Sequence, residues 1–589
     1  MNFLKNVLAS ALGTFVAFLL MLIVFVLIIM VAAFSSNDKV SVKDNSILHI
    51  ELNQEIAERG NENGGQFDPS TFQTKQSMGL DHFIADLAYA KTDSKIQGVF
   101  LEIGNFAASP STVYDMRKAI SDFKSSGKWI VAYSENYSQG AYYVASAANE
   151  VYMYPTGTFD WRGLSAEIMF YKQMLDKLEI EAQVIRGPNN KFKSAVEPFI
   201  YDHMSPENKE QISTFVGDMW RTMCEGIAAD RGVTVDFLNQ AADSLTFRDV
   251  RKVKEAGLLN GLSYRDEVIS LMKTKVGLDA QAEKGFNLIA MSDYHGTAKS
   301  EVESDNKIAV VYAVGAIESG EGDDETIGSD RIAKALRDAR LNEKVKAIVL
   351  RVNSPGGSAL ASDVIWRETQ LIRDSGKPLV VSMGDYAASG GYYIACNANK
   401  IYANPTTLTG SIGVFGVVPN MQKFFNNKLG LTFDSYETNA HAGMLSVTKP
   451  FDDVEMKAMQ DIIAQIYDDF TSKVATGRGK TQAEVDSIGQ GRVWSGEDAK
   501  NLGLVDEMGG LNDAIKSAAQ MAGLSEYEMI NYPKLIDPFE ELISDLTGQK
   551  QASVMQEIFG DHYVIFENVK SIQNMKGPQA RLPFVLEIR

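Results

Sequence analysis

Ser389 and Lys193 are the two residues of this chain whose surroundings suit nucleophilic acyl chemistry. Ser389 lies in DYAASGGYYIA (385–395). The spacing predicts an apolar strand before it (Pro378–Met383) and a helix from near Gly390. A serine on such a strand-to-helix turn is expected to stand exposed above a sheet. The unpaired N–H groups of the helix start there favour a developing oxyanion. A serine at a glycine-rich turn is also an ordinary helix cap, so this segment alone does not decide. A second segment does. The predicted strand Ala347–Val352 runs into NSPGG (353–357), where Gly356 and Gly357 let backbone N–H groups face a ligand. With Gly390 they form a candidate oxyanion hole, in which each donor is typically worth about 3–4 kcal/mol.

A serine hydroxyl needs a proton acceptor. The histidines are His49, His82, His203, His295, His441 and His562. His441 is in a polar loop near the serine's half, but no acidic residue stands at a telling spacing from it. Lys193, in KFKSAVEPF (191–199), is the stronger candidate, because its neighbours are semi-apolar. Burial disfavours the ammonium and makes a lysine a base. Bringing its pKa from about 10.4 to near 7 would cost about 4–5 kcal/mol of folding energy. That cost requires a dry interface between domains. Lys191, two residues away, is its rival.

The elements that must position these residues occur twice. YSQGAYYVASAANEVYMYP (137–155) matches AASGGYYIACNANKIYANP (387–405) at an offset of about 250 residues. GVFLEIGNFAASPS (98–111) matches AIVLRVNSPGGSAL (347–360), and VKEAGLLNGL (253–262) matches AKNLGLVDEM (499–508). A repeat of this length is a duplicated domain rather than a solenoid unit. The copies differ at the chemistry. Gln139 stands where the second copy has Ser389, NFAA (105–108) replaces the glycine loop, and Leu445 stands where the first copy has Lys193. One active site shared between two similar domains follows.

Apolar runs alternate with amphipathic stretches in both copies, so the class is α/β. Strands are predicted at 98–103 and 129–133, with helices at Asp81–Ala90 and Thr112–Ser125. The second copy repeats them as KIAVVYAVGAI, a helix over Ser329–Arg340, AIVLRV, a helix over Ser362–Ser375, and PLVVSM. AERGNENGGQFDPSTFQTKQSM (57–78) reads as a loop. HGTAKSEVESDN (295–306) is polar and aperiodic, which marks the domain boundary. The division is 1–45 anchor, 46–300 first domain, 301–522 second domain and 523–589 extension. The extension has no counterpart in the first copy, and a helix is predicted in it at Asp537–Leu546.

The chain has 589 residues, is 45% hydrophobic and carries a net charge of −19, which sets nucleic acid aside as a partner. No charge occurs between Lys5 and Asp38, and Val7–Phe34 is almost wholly apolar. A cleavable signal has an apolar core of about 7–15 residues, whereas a span needs about 20. This stretch predicts an uncleaved transmembrane anchor. The flanking charges are mixed, and a short leader before a large domain favours export of the bulk. Cys224 and Cys396 are too few for a disulfide framework. GKT (479–481) resembles the end of a phosphate loop, but Val474 stands where that loop needs a glycine, so no ATPase is expected. No metal-ligand spacing and no cofactor motif is expected either.

The anchor, ENYSQGAYYVAS, FKSAVEPFI, RVNSPGGS, DYAASGGYYIA and TGSIGVFG together resemble the signal peptide peptidase A (protease IV) family in its long, duplicated form. The resemblance covers nearly the whole chain and puts the family's catalytic serine on Ser389 and its catalytic lysine on Lys193. It implies two tandem crotonase-like domains, related to the proteolytic subunit of the Clp protease. It also implies a homotetramer on the outer face of the cytoplasmic membrane that degrades signal-peptide remnants and other apolar peptides. The long extension after residue 523 departs from the family pattern. Two other classes compete: an acyl-CoA enzyme of crotonase type, which would use the glycine loop to hold a thioester enolate, and a non-catalytic membrane scaffold.

Overall fold

Each half of the chain folds around a sheet that is parallel apart from one antiparallel edge pair in the second half, Val493–Ser495 with Leu408–Gly410. The apolar runs of each half are separated by helices long enough to carry the chain back across. The computed structural model describes residues 12–18, 20–21, 41–60, 66–68, 73–75, 78–187, 189–295, 304–535, 578–582 and 587–588. The first sheet runs Gly261–Leu262, Glu150–Met153, Trp129–Ser134, Ile96–Ile103, Ser46–Leu52, Asn287–Ala290, and all its pairs are parallel. The second runs Val493–Ser495, Leu408–Gly410, Leu379–Ala388, Val345–Ser354, Lys307–Val314, Glu528–Tyr532, and Lys400–Ala403 also lies beside Leu379–Ala388. Helices Leu80–Thr92 and Pro110–Lys124 of the first half recur as Ser329–Leu341 and Ala359–Asp374. The central strands are buried along most of their length, as in Val345–Ser354, where Ala347–Val352 is buried without a break and Ile348, Val349 and Leu350 are fully covered.

The duplication extends one strand further than the sequence match. Glu528–Tyr532 pairs in parallel with Lys307–Val311, as Asn287–Ala290 does with Ser46–His49. The first residues after 523 therefore have a counterpart, hidden because an edge strand of five residues keeps only its apolar alternation. The stretch 57–78, expected to be a loop, contains a short antiparallel pair, Gln66–Asp68 with Gln73–Lys75. The predicted helix at 537–546 and most of the predicted anchor lie outside the described residues. Leu12–Phe18 is helical, and among the described residues no helix is long and apolar enough to cross a membrane.

The halves meet along a buried polar seam beneath the serine's strand. Arg351, 1% exposed, donates to Glu58 at 2.9 and 3.0 Å and lies 3.8 Å from Asp115. Asp385 accepts from the Thr112 N–H at 3.0 Å, and Asn404 donates to Ser111 Oγ at 3.0 Å. Burial pushes the Asp115 carboxyl up to about 6, the guanidinium of Arg351 opposing it. Crossing in the other direction, Glu181–Arg186 of the first half joins a third sheet by antiparallel pairing with Phe415–Asn420. That strand delivers the chain to Lys193. Cys224 and Cys396 are both free and buried in different halves, their thiols pushed up to about 12 by burial.

Candidate active site

Ser389 ends the Leu379–Ala388 strand and precedes the six-residue helix Gly390–Ala395. Its backbone holds φ 55° and ψ −113°, a conformation that side-chain-bearing residues rarely adopt and that costs on the order of 1–3 kcal/mol. The Ser389 N–H donates to Gly410 O at 2.8 Å. Its side chain makes no capping bond to the helix. The first copy shows the ordinary alternative. There Ser138 caps Gln139–Ala145 at φ −72°, accepting from the Ala141 N–H. Gln139, aligned with Ser389, is occupied elsewhere: its Oε1 accepts from the N–H groups of Arg162 and Gly163, both at 2.9 Å. The cap reading thus holds for copy one and fails for copy two.

The Ser389 hydroxyl is aimed at Lys193, whose Nζ lies 2.8 Å from Ser389 Oγ. Lys193 precedes a single 3-10 turn, Ser194–Val196. The turn is fixed by Phe192 N–H donating to Gln490 O at 2.9 Å and by Gln211, on the long helix Pro206–Arg231, donating to Ser194 Oγ at 2.8 Å. The lysine stem passes through a slot lined by two glycines. A Cβ on Gly491 would come within 2.4 Å of Lys193 Cβ, and one on Gly413 within 3.2 Å of Lys193 Cδ. Lys193 is 2% exposed, and burial alone pushes its ammonium well below the ordinary lysine range.

The remaining contacts of Nζ are Ser411 Oγ at 3.0 Å and Ser411 O at 3.1 Å. A neutral amine has two hydrogens and one lone pair. With the amine neutral, the two oxygens of Ser411 can accept its hydrogens, and the lone pair can face the Ser389 hydroxyl proton. Ser411 and the slot glycines 413 and 491 were missed by sequence reasoning, although Ser411 and Gly413 sit in the TGSIGVFG stretch. A usable signal was present: at the constant offset of about 250, Ser411 falls on Trp161, so the copies differ there as well.

The rivals are elsewhere. The Lys191 side chain is 57% exposed, with Glu207 at 3.9 Å. His441 pairs with Asp452 and Glu455 at 3.4 and 3.5 Å, whereas among the described residues the Ser389 side chain bonds to Lys193 and, at 3.4 Å, to Gly413 O. His441, Asp452 and Glu455 are close enough together to ligate a metal, but Lys449 Nζ, 3.2 Å from Glu455, already supplies a cation there.

The three glycines divide their work. The Gly356 N–H donates to Ser354 Oγ at 3.1 Å, so it is not free for an oxyanion. This corrects its expected role as a donor. Gly356, at φ 96°, provides room instead: a Cβ on it would sit 2.8 Å from the Gly390 nitrogen. Gly357 and Gly390 remain as the facing donors, a Cβ on Gly390 meeting Gly357 N at 3.1 Å. Ser389 itself is fully covered rather than exposed, because a strand formed by Gln579–Arg581 lies over the glycine loop.

The fold thus sets the buried amine of Lys193, from the first half, against the strained Ser389 of the second half. The chain belongs to peptidase family S49 and is a serine protease, the family matching over residues 122–279 and 372–525. Among its relatives, Protease 4 of Salmonella typhi is 38% identical over 504 residues, which is 84% of this chain and 80% of that protein. Protease 4 of Haemophilus influenzae is 38% identical over 73% of this chain and 71% of its own length. Serine protease SPPA, chloroplastic, of Arabidopsis thaliana is 31% identical over 86% of this chain and 75% of its own length. Among solved structures, a ClpP1 mutant from Listeria monocytogenes aligns over 35% of this chain and 94% of its own at 17% identity. Its TM-score of 0.24 is too low to assign the fold by. The acyl-CoA and scaffold readings give way to the protease.

Proposed function

We propose that Ser389 is the nucleophile and Lys193 the general base of a Ser/Lys dyad that cleaves apolar peptides through an acyl-enzyme. The observation that carries this reading is the 2.8 Å approach of Lys193 to Ser389 across the two halves, with the lysine buried. Lys193 takes the hydroxyl proton as Ser389 Oγ attacks the peptide carbonyl, then hands it to the leaving amine. The same nitrogen activates the water that hydrolyses the ester. Gly357 and Gly390 N–H groups hold the oxyanion, and Ser411 keeps the amine pointed at the serine. The step needs no metal or cofactor. The catalytic domains are of the crotonase-like type.

The reading is tested with a fluorophosphonate probe. The wild type is expected to carry the adduct on Ser389, and Ser389→Ala to carry none. An adduct on a different serine overturns the assignment.

The substrates are signal-peptide remnants and other short apolar peptides, reached from the outer face of the cytoplasmic membrane by a chain anchored through residues 7–34. Leu429, Leu431, Phe433 and Tyr436, exposed by 54, 49, 53 and 93%, form an apolar run that suits contact between subunits of a homotetramer. Deleting residues 1–45 is expected to leave hydrolysis of a short soluble peptide unchanged. On the same peptide inserted in liposomes the rate should fall by about 100-fold, since tethering raises effective concentration. Equal ratios of truncated to full-length rate on the two substrates would remove the anchor from substrate choice.

A further inference from the structure

The strand that covers Ser389 is part of the chain itself. Gln579–Arg581 lies between Gly356–Ser358 and Phe415–Asn420 in the third sheet. It runs antiparallel to the glycine strand in the register Gly356 with Arg581, Gly357 with Ala580 and Ser358 with Gln579. Phe415 pairs antiparallel with Gln579 on the other side. The register is extended at both ends, by Ala359 N–H donating to Pro578 O at 3.4 Å and Leu582 N–H donating to Pro355 O at 2.6 Å. Removing this strand leaves two strand edges facing across a slot one strand wide. That is the geometry in which proteins bind an extended peptide through its backbone.

The register places one carbonyl at the chemistry. In the narrow pair Gly357 with Ala580, the Ala580 oxygen faces the Gly357 nitrogen. The same oxygen would lie 2.3 Å from a Cβ on Gly356 and 3.0 Å from one on Gly390. It therefore sits where Gly356, Gly357 and Gly390 converge, directly beside the residue that follows Ser389. Ala580 is fully buried, and Leu582 packs with Ile212, Phe215, Met219, Leu408 and Val493. A small side chain before the bond and an apolar one two residues beyond fill the groove.

Resting on the dyad reading above, we propose that residues 578–582 occupy the substrate groove as a substrate does, and that the enzyme cuts its own Ala580–Arg581 bond. Ser389 Oγ forms an ester with the Ala580 carbonyl carbon while Lys193 accepts the hydroxyl proton. The carbon–nitrogen bond to Arg581 breaks, and Lys193 returns the proton to that nitrogen. The fragment beginning at Arg581 leaves with a new amino group. Water then hydrolyses the ester and leaves a carboxylate on Ala580. The same groove sets the preference toward other peptides: a small residue before the cut and an apolar residue two positions after it.

Intact-mass measurement on the purified full chain tests this. The wild type is expected to end at Ala580 and to yield a peptide starting at Arg581, whereas Ser389→Ala keeps its full mass. Ala580→Trp, too large for the buried position, is expected to keep its full mass, because residues 578–582 no longer seat in the groove, and still to label with the fluorophosphonate at Ser389. An Ala580→Trp chain cut at the same bond overturns the register. A wild-type chain of full mass that still labels at Ser389 and hydrolyses a short peptide overturns self-cleavage alone. The same cut appearing in Ser389→Ala overturns it too. Absence of both labelling and hydrolysis removes the dyad reading, and this inference with it.

Discussion

Ser389→Ala is expected to lower kcat/KM for a short apolar peptide by at least about 10³-fold, Lys193→Met to do the same, and the double variant to be no worse than either. The reason is that the two side chains act as one device. Without the serine oxygen the amine has nothing to deprotonate. Without the amine the hydroxyl, held in a buried site where among the described residues Gly413 O at 3.4 Å is the one further acceptor, has no base. Independent contributions would multiply to a loss of about 10⁶-fold in the double variant. Freshly purified variants assayed on one peptide decide the matter. A double variant far below both singles would separate the residues. A mild Lys193→Met beside an inactive Lys191→Ala would reassign the base, although Lys191 is turned outward toward Glu207.

The pair that the fold brings to 2.8 Å, Ser389 and Lys193, stands out in the sequence because the chain carries two copies that differ there. Gln139 and Leu445 mark the places where one copy lacks what the other has. The strands and helices around them were legible for a simpler reason. Runs such as AIVLRV are buried on both faces and must be apolar throughout. The features that escaped are those created by approach in space. Gly491 must be glycine because Lys193 Cβ comes within 2.4 Å of where its side chain would begin, and no motif around residue 491 announces that. Gly356 looked like a donor, yet its N–H turns to Ser354 Oγ, a local bond that dipeptide composition does not reveal. Gln579–Arg581 has no strand pattern of its own. Its extended form is imposed by two edges more than a hundred residues upstream, those at Gly356–Ser358 and Phe415–Asn420.

Lys193→Met is also expected to change how stability depends on pH. The folded state holds the Lys193 ammonium well below its ordinary value of 10.5, because the site is buried and no carboxylate offsets the lost solvation. Between that lowered value and 10.5 the unfolded chain binds a proton at Lys193 that the folded chain does not. Stability therefore rises with pH across this window, at up to about 1.4 kcal/mol per unit from this one residue. Activity rises over its lower edge, as the amine becomes the free base that the Ser389 proton requires. Methionine fills a similar volume and carries no proton, so the variant loses the slope. At neutral pH it is expected to be the more stable protein, with the gap closing steadily toward pH 10. Urea midpoints of wild type and Lys193→Met measured from pH 6.5 to 9.5 isolate the effect, because the other titrating groups are common to both. Two parallel curves would mean that Lys193 keeps its proton in the folded state, and the base would have to be sought elsewhere.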